Sequence, residues 1–157
     1  MSPNSEYNIH SIIRNYPYLL GDEFDNLDLR HERIYQDRTR ADFVFTDSNL
    51  SVVVEVKKGP IDPRMLDQAL HYLEKEKQEN PSKCVKCLLV GTRTNKAIER
   101  KINESNYRFE VKLLGSDVPT RIKICDRCRK ANALSSQRCE YCNSARFVRD
   151  PFLFTTK

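Results

Sequence analysis

Apolar positions along the chain change their period several times, and each change marks an element. Ile9, Ile12, Ile13 and Tyr16 recur at helical spacing, which predicts a first helix over Pro3–Asn15 with Ser2 as cap and Pro3 in the first turn. Leu29–Tyr35 reads as a strand. Ala41–Thr46 and Leu50–Lys57 flank the polar turn Asp47-Ser48-Asn49 and predict a hairpin. Gly59-Pro60 breaks the chain. Asp62 then reads as a helix cap and Pro63 as the first helical residue. Met65, Leu66, Ala69, Leu70 and Leu73 give the buried stripe of a helix ending near Glu79. A buried strand over Val85–Val90 follows, then a short helix near Asn95–Asn103 with Ala97, Ile98 and Ile102 inward. A strand over Tyr107–Leu114 completes the order α-β-β-β-α-β-α-β. That order predicts an α/β fold, a mixed sheet flanked by helices.

Beyond a linker at Gly115–Pro119 the composition changes. Residues 119–157 hold nine Lys/Arg against three Asp/Glu, whereas residues 1–118 are almost balanced. A near-neutral body with a basic appendage points to a polyanionic partner, nucleic acid above all. The six cysteines form three Cys-x-x-Cys pairs. Cys125/Cys128 and Cys139/Cys142 lie in polar, Arg-rich sequence, ICDRCRK and RCEYCNS, and supply four thiolates for one tetrahedral, structural Zn²⁺. Large apolar residues are scarce there (Ile122, Ile124, Leu134, Phe147, Val148), and a metal staple supplies the missing stability. Cys84/Cys87 open the strand run CVKCLLVGT, on opposite faces. Cys87 reads as a small core residue and Cys84 as a strand start.

The strand VVVEVKKG carries charge in a buried setting. Glu55 and Lys57 share one face, and burying either costs several kcal/mol, roughly, unless it is paired or metal-bound. If Ser48-Asn49 forms a two-residue loop, residue 47 pairs with 50 and 42 with 55. Asp42 and Glu55 then become adjacent carboxylates, which repel unless a cation separates them. An oxygen-rich pair of this kind suits Mg²⁺ or Mn²⁺. Glu6 falls on the apolar side of the first helix. Gln68 and Tyr72 lie at i, i+4 beside the stripe of the second.

Asp42 … Glu55-Val-Lys57 resembles the PD-(D/E)XK nuclease motif. NYPYLLGDEF, RADFVFTDSNLSVVVEVKKGPID and LDQALHYL are similar in order and spacing to the nuclease domain of the NucS/EndoMS endonucleases, over residues 5–114. The resemblance implies a restriction-endonuclease-like core and Mg²⁺-dependent cleavage of DNA phosphodiesters. It implies that Asp42, Glu55 and the Val56 carbonyl ligate the metal and that Lys57 positions or activates the attacking water. Glu6 matches the family's helix-one acid, and Gln68 with Tyr72 its Q-x-x-x-Y helix motif. Two departures stand out. Ala41 occupies the place of the motif's proline, and a C-terminal ribbon replaces the family's N-terminal β-rich domain.

The expectation is therefore a nuclease-like domain over residues 1–116 and a basic zinc ribbon over 119–157. It would act as an endonuclease in DNA repair or defence. Arg127, Arg129, Lys130, Arg138 and Arg146 would bind phosphates, together with Arg121, Lys123 and Arg149. Tyr141 and Phe147 are candidates for stacking on bases or for packing within the ribbon. Lys58 and Arg64 are further candidate phosphate contacts, and His71 reads as exposed surface. The alternatives are a non-cleaving nucleic-acid-binding or adaptor module and an RNA-processing nuclease. Neither a secretory signal nor an apolar run of membrane-spanning length is visible, which predicts a cytoplasmic, nucleoid-associated protein without a membrane partner. The oligomeric state stays open.

Overall fold

The computed structural model describes residues 6–148, with side chains from Ile9 onward. The element order is α1 (Glu6–Asn15), two 3₁₀ segments (Pro17–Leu20 and Asp22–Asn26), β1 (Asp28–Ile34), β2 (Arg40–Thr46), β3 (Leu50–Val56), α2 (Pro63–Glu79), β4 (Cys84–Gly91), α3 (Lys96–Glu104), β5 (Arg108–Leu113), β6 (Ile122–Ile124) and β7 (Ala131–Ala133). Each expected helix and strand of the body is present, within one or two residues of its expected ends where they are described. The 3₁₀ segments were not foreseen. Ser2, Pro3 and the proposed start of the first helix lie outside the described residues.

The chain separates into two compact units, one of Asn26–Leu113 and one that joins the segment ending at Asp25 to the segment starting at Leu114. The first unit is a five-stranded sheet in the order β1-β2-β3-β4-β5. β1, β2 and β3 run antiparallel, and β3, β4 and β5 are parallel, joined by crossovers through α2 and α3. The sheet is therefore mixed, as the element order requires.

α2 begins where the sequence said it should. Asp62 caps it, its side chain accepting the Met65 N–H at 2.9 Å. Met65, Leu66, Ala69 and Leu73 are buried against Val44, Val53, Cys87 and Leu89 of the sheet, and Ile98 of α3 joins the same cluster. Leu70 departs from its expected burial. It is only half-buried and lines an open cleft between α2 and the α3–β5 connection.

In the second unit α1 packs with the ribbon. Ile12 forms one apolar cluster with Ile122, Ile124 and Ala131, flanked by Tyr16, Tyr18, Leu19 and Val148. By its contacts this helix groups with the ribbon. The reason is the shortage of apolar residues noted above. Three-residue strands cannot bury Ile122 and Ile124 between themselves, and α1 supplies the missing wall.

The connection from β3 to α2 passes close to β4. A Cβ on Gly91 would meet Ile61 Cγ1 at 2.7 Å and the Gly59 carbonyl oxygen at 3.0 Å. Lys57 N–H donates to the Val90 carbonyl at 2.8 Å, and Thr92 N–H to that of Gly59 at 3.0 Å. Because Ile61 is 1% exposed, it cannot move aside cheaply. Gly91→Ala is expected to cost about 1–3 kcal/mol, as overpacking does, read as a lower urea midpoint at unchanged slope.

Candidate active site and metal centre

The β2–β3 hairpin sets the register of the candidate site. Asp47 N–H donates to the Leu50 carbonyl at 2.9 Å, and Asn49 N–H to the Asp47 carboxylate at 2.8 Å. This local Asx turn closes the loop around Ser48 and Asn49. Pairing then runs Thr46↔Ser51, Phe45↔Val52, Val44↔Val53 and Phe43↔Val54. One step further the ladder stops, at Asp42 and Glu55. There the strands are joined by side chains. Asp42 N–H donates to Glu55 Oε2 at 2.8 Å, and Val56 N–H donates to Asp42 Oδ2 at 2.8 Å. Each carboxylate is thus held by the backbone of the opposite strand. Glu55 is 5% exposed, a burial that a carboxylate tolerates only with such donors or a cation.

The strand on the other side of β2 is deformed at the same level. Arg30↔Val44 and His31↔Phe43 pair on one side and Arg33↔Ala41 on the other, but Glu32, which would face Asp42, takes a left-handed φ of 55°. Non-glycine residues rarely adopt that conformation, and such strain gathers at functional positions.

Lys57 lies just beyond β3, in the connection to α2. Lys57 forms an ion pair with Asp62, the same carboxylate that caps α2. The Lys57 ammonium holds the Asp62 carboxyl below its ordinary value of 3.8, with the Met65 N–H as the second cause. Tyr72 is buried, stacked 5.8 Å from Tyr35, and its hydroxyl pKa is raised, first by burial and then by the fields of Glu55 and Asp42. The Cys87 thiol, wholly buried, is pushed well up by burial and by Glu55. Cys87 is the core residue that its strand position implied, and Cys84 is an exposed strand start. Gln68 lies one turn before Tyr72 and is exposed. Glu6 opens α1, but its side chain lies outside the described residues.

The sequence reading missed two partnerships. Asp62 was read only as a cap and not as the partner of Lys57. His71 is not bare surface. Its Nε2 lies 2.8 Å from Asp37 and 3.2 Å from Thr39 Oγ1, and Lys75 stands 3.5 Å from the same carboxylate. The Thr39 hydroxyl and N–H hold the Asp37 carboxyl well below the usual range. The Asp37-x-Thr39 turn was a visible signal, but nothing local tied it to a histidine on α2.

The ribbon cysteines meet as their spacing requires. The Sγ atoms of Cys125, Cys128, Cys139 and Cys142 all lie within 4.8 Å of one another. Cys125–Cys142 and Cys128–Cys139 are each 3.5 Å apart. A tetrahedron with Zn–S bonds of about 2.3 Å has edges of about 3.8 Å, so the four sulfurs fit zinc. Cys128 N–H and Tyr141 N–H point at Cys125 Sγ and Cys139 Sγ, both at 3.4 Å. The first of these N–H groups draws the Cys125 pKa down. Around Cys139 burial opposes ionisation, but N–H donors from Tyr141, Cys142 and Asn132 outweigh it and bring the thiol to about 6. Arg127, Arg129, Arg138 and Arg146 are exposed or half-exposed around this centre, as is Lys130; Arg149 lies outside the described residues.

No family model and no curated protein matches the sequence. Among solved structures the fold is similar to EndoMS in a complex with double-stranded DNA, with TM-score 0.57 and 19% identity, covering 70% of this chain and 45% of that one. It is equally similar to a repair endonuclease from Pyrococcus abyssi, with TM-score 0.57 and 20% identity, covering 69% and 47%. The chain therefore spans about half the length of the structures it matches. The likeness is one of fold: an α/β unit with a mixed five-stranded sheet, joined here to four cysteines arranged as in a zinc ribbon. No described helix is long and apolar enough to cross a membrane.

Two outcomes follow from this geometry. Asp62→Ala removes a cap and is expected to cost about 1 kcal/mol at neutral pH. Because the folded carboxyl is depressed, that contribution is complete above the unfolded value near 3.8 and is lost as pH falls below it. The stability gap between the two proteins, measured by urea unfolding, should narrow from pH 5 to pH 2. Zinc is expected at one ion per chain, released by a mercurial reagent and counted with a chromogenic chelator. Cys139→Ser should lower that count and melt the ribbon.

Proposed function

We propose that the chain is a divalent-metal-dependent deoxyribonuclease that hydrolyses phosphodiester bonds within DNA, in repair or defence. The observation that carries this reading is the reciprocal clamp of Asp42 and Glu55. Two carboxylates at the same level of the hairpin each accept a backbone N–H from the opposing strand, and one of them is almost fully buried. Backbone donors are satisfied by that arrangement, and a hard cation would gain two oxygen ligands from it. The similarity in fold to EndoMS and to a repair endonuclease supports the same assignment.

Asp42, Glu55 and the Val56 carbonyl would hold Mg²⁺ or Mn²⁺. When bound, the ion would offset charge on the scissile phosphate and acidify a coordinated water. Lys57 would supply a point charge beside that phosphate and orient the attacking water, and Asp62 would keep its flexible side chain in place. Gln68, exposed on α2, would orient water or a flanking phosphate. Tyr72, whose hydroxyl feels both carboxylates, would do the same from within the wall of the site. Glu6 is proposed as a further acid. The ribbon would add affinity through Arg127, Arg129, Lys130, Arg138 and Arg146, in a salt-dependent manner.

Zinc-loaded protein with Mg²⁺ should nick supercoiled plasmid or cut flap DNA. Asp42→Ala, Glu55→Ala and Lys57→Ala should each lower the rate at least ~100-fold, the scale of removing a transition-state charge, while DNA binding without Mg²⁺ is kept. Binding without any Mg²⁺- or Mn²⁺-dependent cleavage by the unmodified protein would instead establish a non-cleaving adaptor. Preferential cleavage of matched RNA would establish an RNA-processing nuclease.

A further inference from the structure

We infer that Tyr141 is a stacking platform for an unpaired base of single-stranded DNA, with Tyr18 as its buttress and Lys130 as the adjoining cation. This rests on the proposed role of the ribbon in DNA binding, and it names the part of the substrate that the ribbon takes.

Among the described residues, Tyr141 is one of two large apolar side chains that are exposed, at 39%. It is nevertheless fixed. Its backbone N–H donates to Cys139 Sγ, so the ring rides on the metal knuckle. Its edge meets the ring of Tyr18, with centroids 5.2 Å apart and planes at 79°. Tyr18 is itself anchored, its hydroxyl accepting the Ala131 N–H at 2.6 Å. The Lys130 ammonium lies over part of the Tyr141 ring, 4.7 Å from its centroid, and 5.7 Å from that of Tyr18. An exposed aromatic ring usually loses rotamer freedom when it is covered. This one has lost it already, so docking a flat apolar group costs little ordering.

The surroundings select a base over a phosphate. Exposed Glu140 precedes Tyr141 in the chain, and the fields of Glu140 and Asp22 reach its hydroxyl, so its own neighbours are partly acidic. A bare phosphate gains nothing from them, whereas the ring still offers a face. The strand's charge is met nearby by Lys130, Arg127 and Arg129, in a segment where basic residues outnumber acidic ones nine to three. Paired bases are already stacked in a duplex, so the fitting occupant is a strand with free bases. Phe147, the other aromatic of the ribbon, is half-buried, with the Lys123 ammonium 4.1 Å over its ring.

The chain contains no tryptophan, so Tyr141→Trp introduces a single fluorophore at the platform. The zinc-loaded full chain, without added Mg²⁺, is titrated with oligothymidine, with an abasic oligomer of equal length and with a blunt duplex of equal phosphate content. Oligothymidine should quench the fluorescence and the other two should quench it several-fold less. In the Tyr141→Ala variant, with one zinc per chain retained, affinity for oligothymidine should fall about ten-fold while abasic binding stays within two-fold. Equal quenching by the abasic oligomer, no quenching by any of the three, or unchanged oligothymidine affinity in Tyr141→Ala would overturn the inference. No cleavage step enters these readings, so an inactive nuclease site leaves them interpretable. Equal binding of all three ligands would leave the ribbon a DNA-binding element and remove only the stacking role.

Discussion

At one point in the sheet, backbone pairing is replaced by carboxylates. Up to Phe43 and Val54 the hairpin is an ordinary antiparallel ladder. At the next step Asp42 and Glu55 each take an N–H from the facing strand. That exchange does two things together. It satisfies donors that the interrupted ladder would otherwise leave without partners. It also sets two acidic side chains at one level of the sheet end. Much of what surrounds the pair is consistent with this constraint. Tyr72 and Cys87 both sense the negative charge, and β1 is bent into a left-handed residue at the same level.

The cation proposed for the site comes from the turn that follows. Lys57 follows β3, and its ammonium is tied to the residue that caps α2. One carboxylate, Asp62, thus links the helix that roofs the sheet to the cation proposed to act beside it. Gly91 lets the connecting loop lie against β4, which fixes where that cation emerges. Stability and proposed function share these contacts.

The elements and register of the α/β body were legible because their determinants are local. The Asp47 turn, the alternation in Ala41–Thr46 and Leu50–Lys57, the Asp62-Pro63 cap and the stripe on α2 each lie within a few residues of one another. The pairing of 42 with 55 followed from the length of the Ser48-Asn49 loop alone. The four ribbon cysteines were legible for the same reason. What escaped was non-local. Asp62 was recognisable as a cap, but its hold on Lys57 depends on how the intervening loop packs. Asp37 and His71 meet across the gap between β1 and α2. Buried Glu76 accepts the Tyr35 hydroxyl at 2.7 Å and faces Arg33, a pairing that no short motif announces. The grouping of α1 with the ribbon escaped as well, because an apolar stripe says that a helix is covered without saying by what.

The most direct measurement is a crystal structure of the protein soaked in Mn²⁺, with anomalous scattering recorded at the manganese edge. An anomalous peak between Asp42 and Glu55, at a coordination distance on the order of 2.1 Å from an oxygen of each, is expected. A well-ordered site with both carboxylates in place and no anomalous density between them at millimolar Mn²⁺ would contradict a metal-dependent reading of the pair.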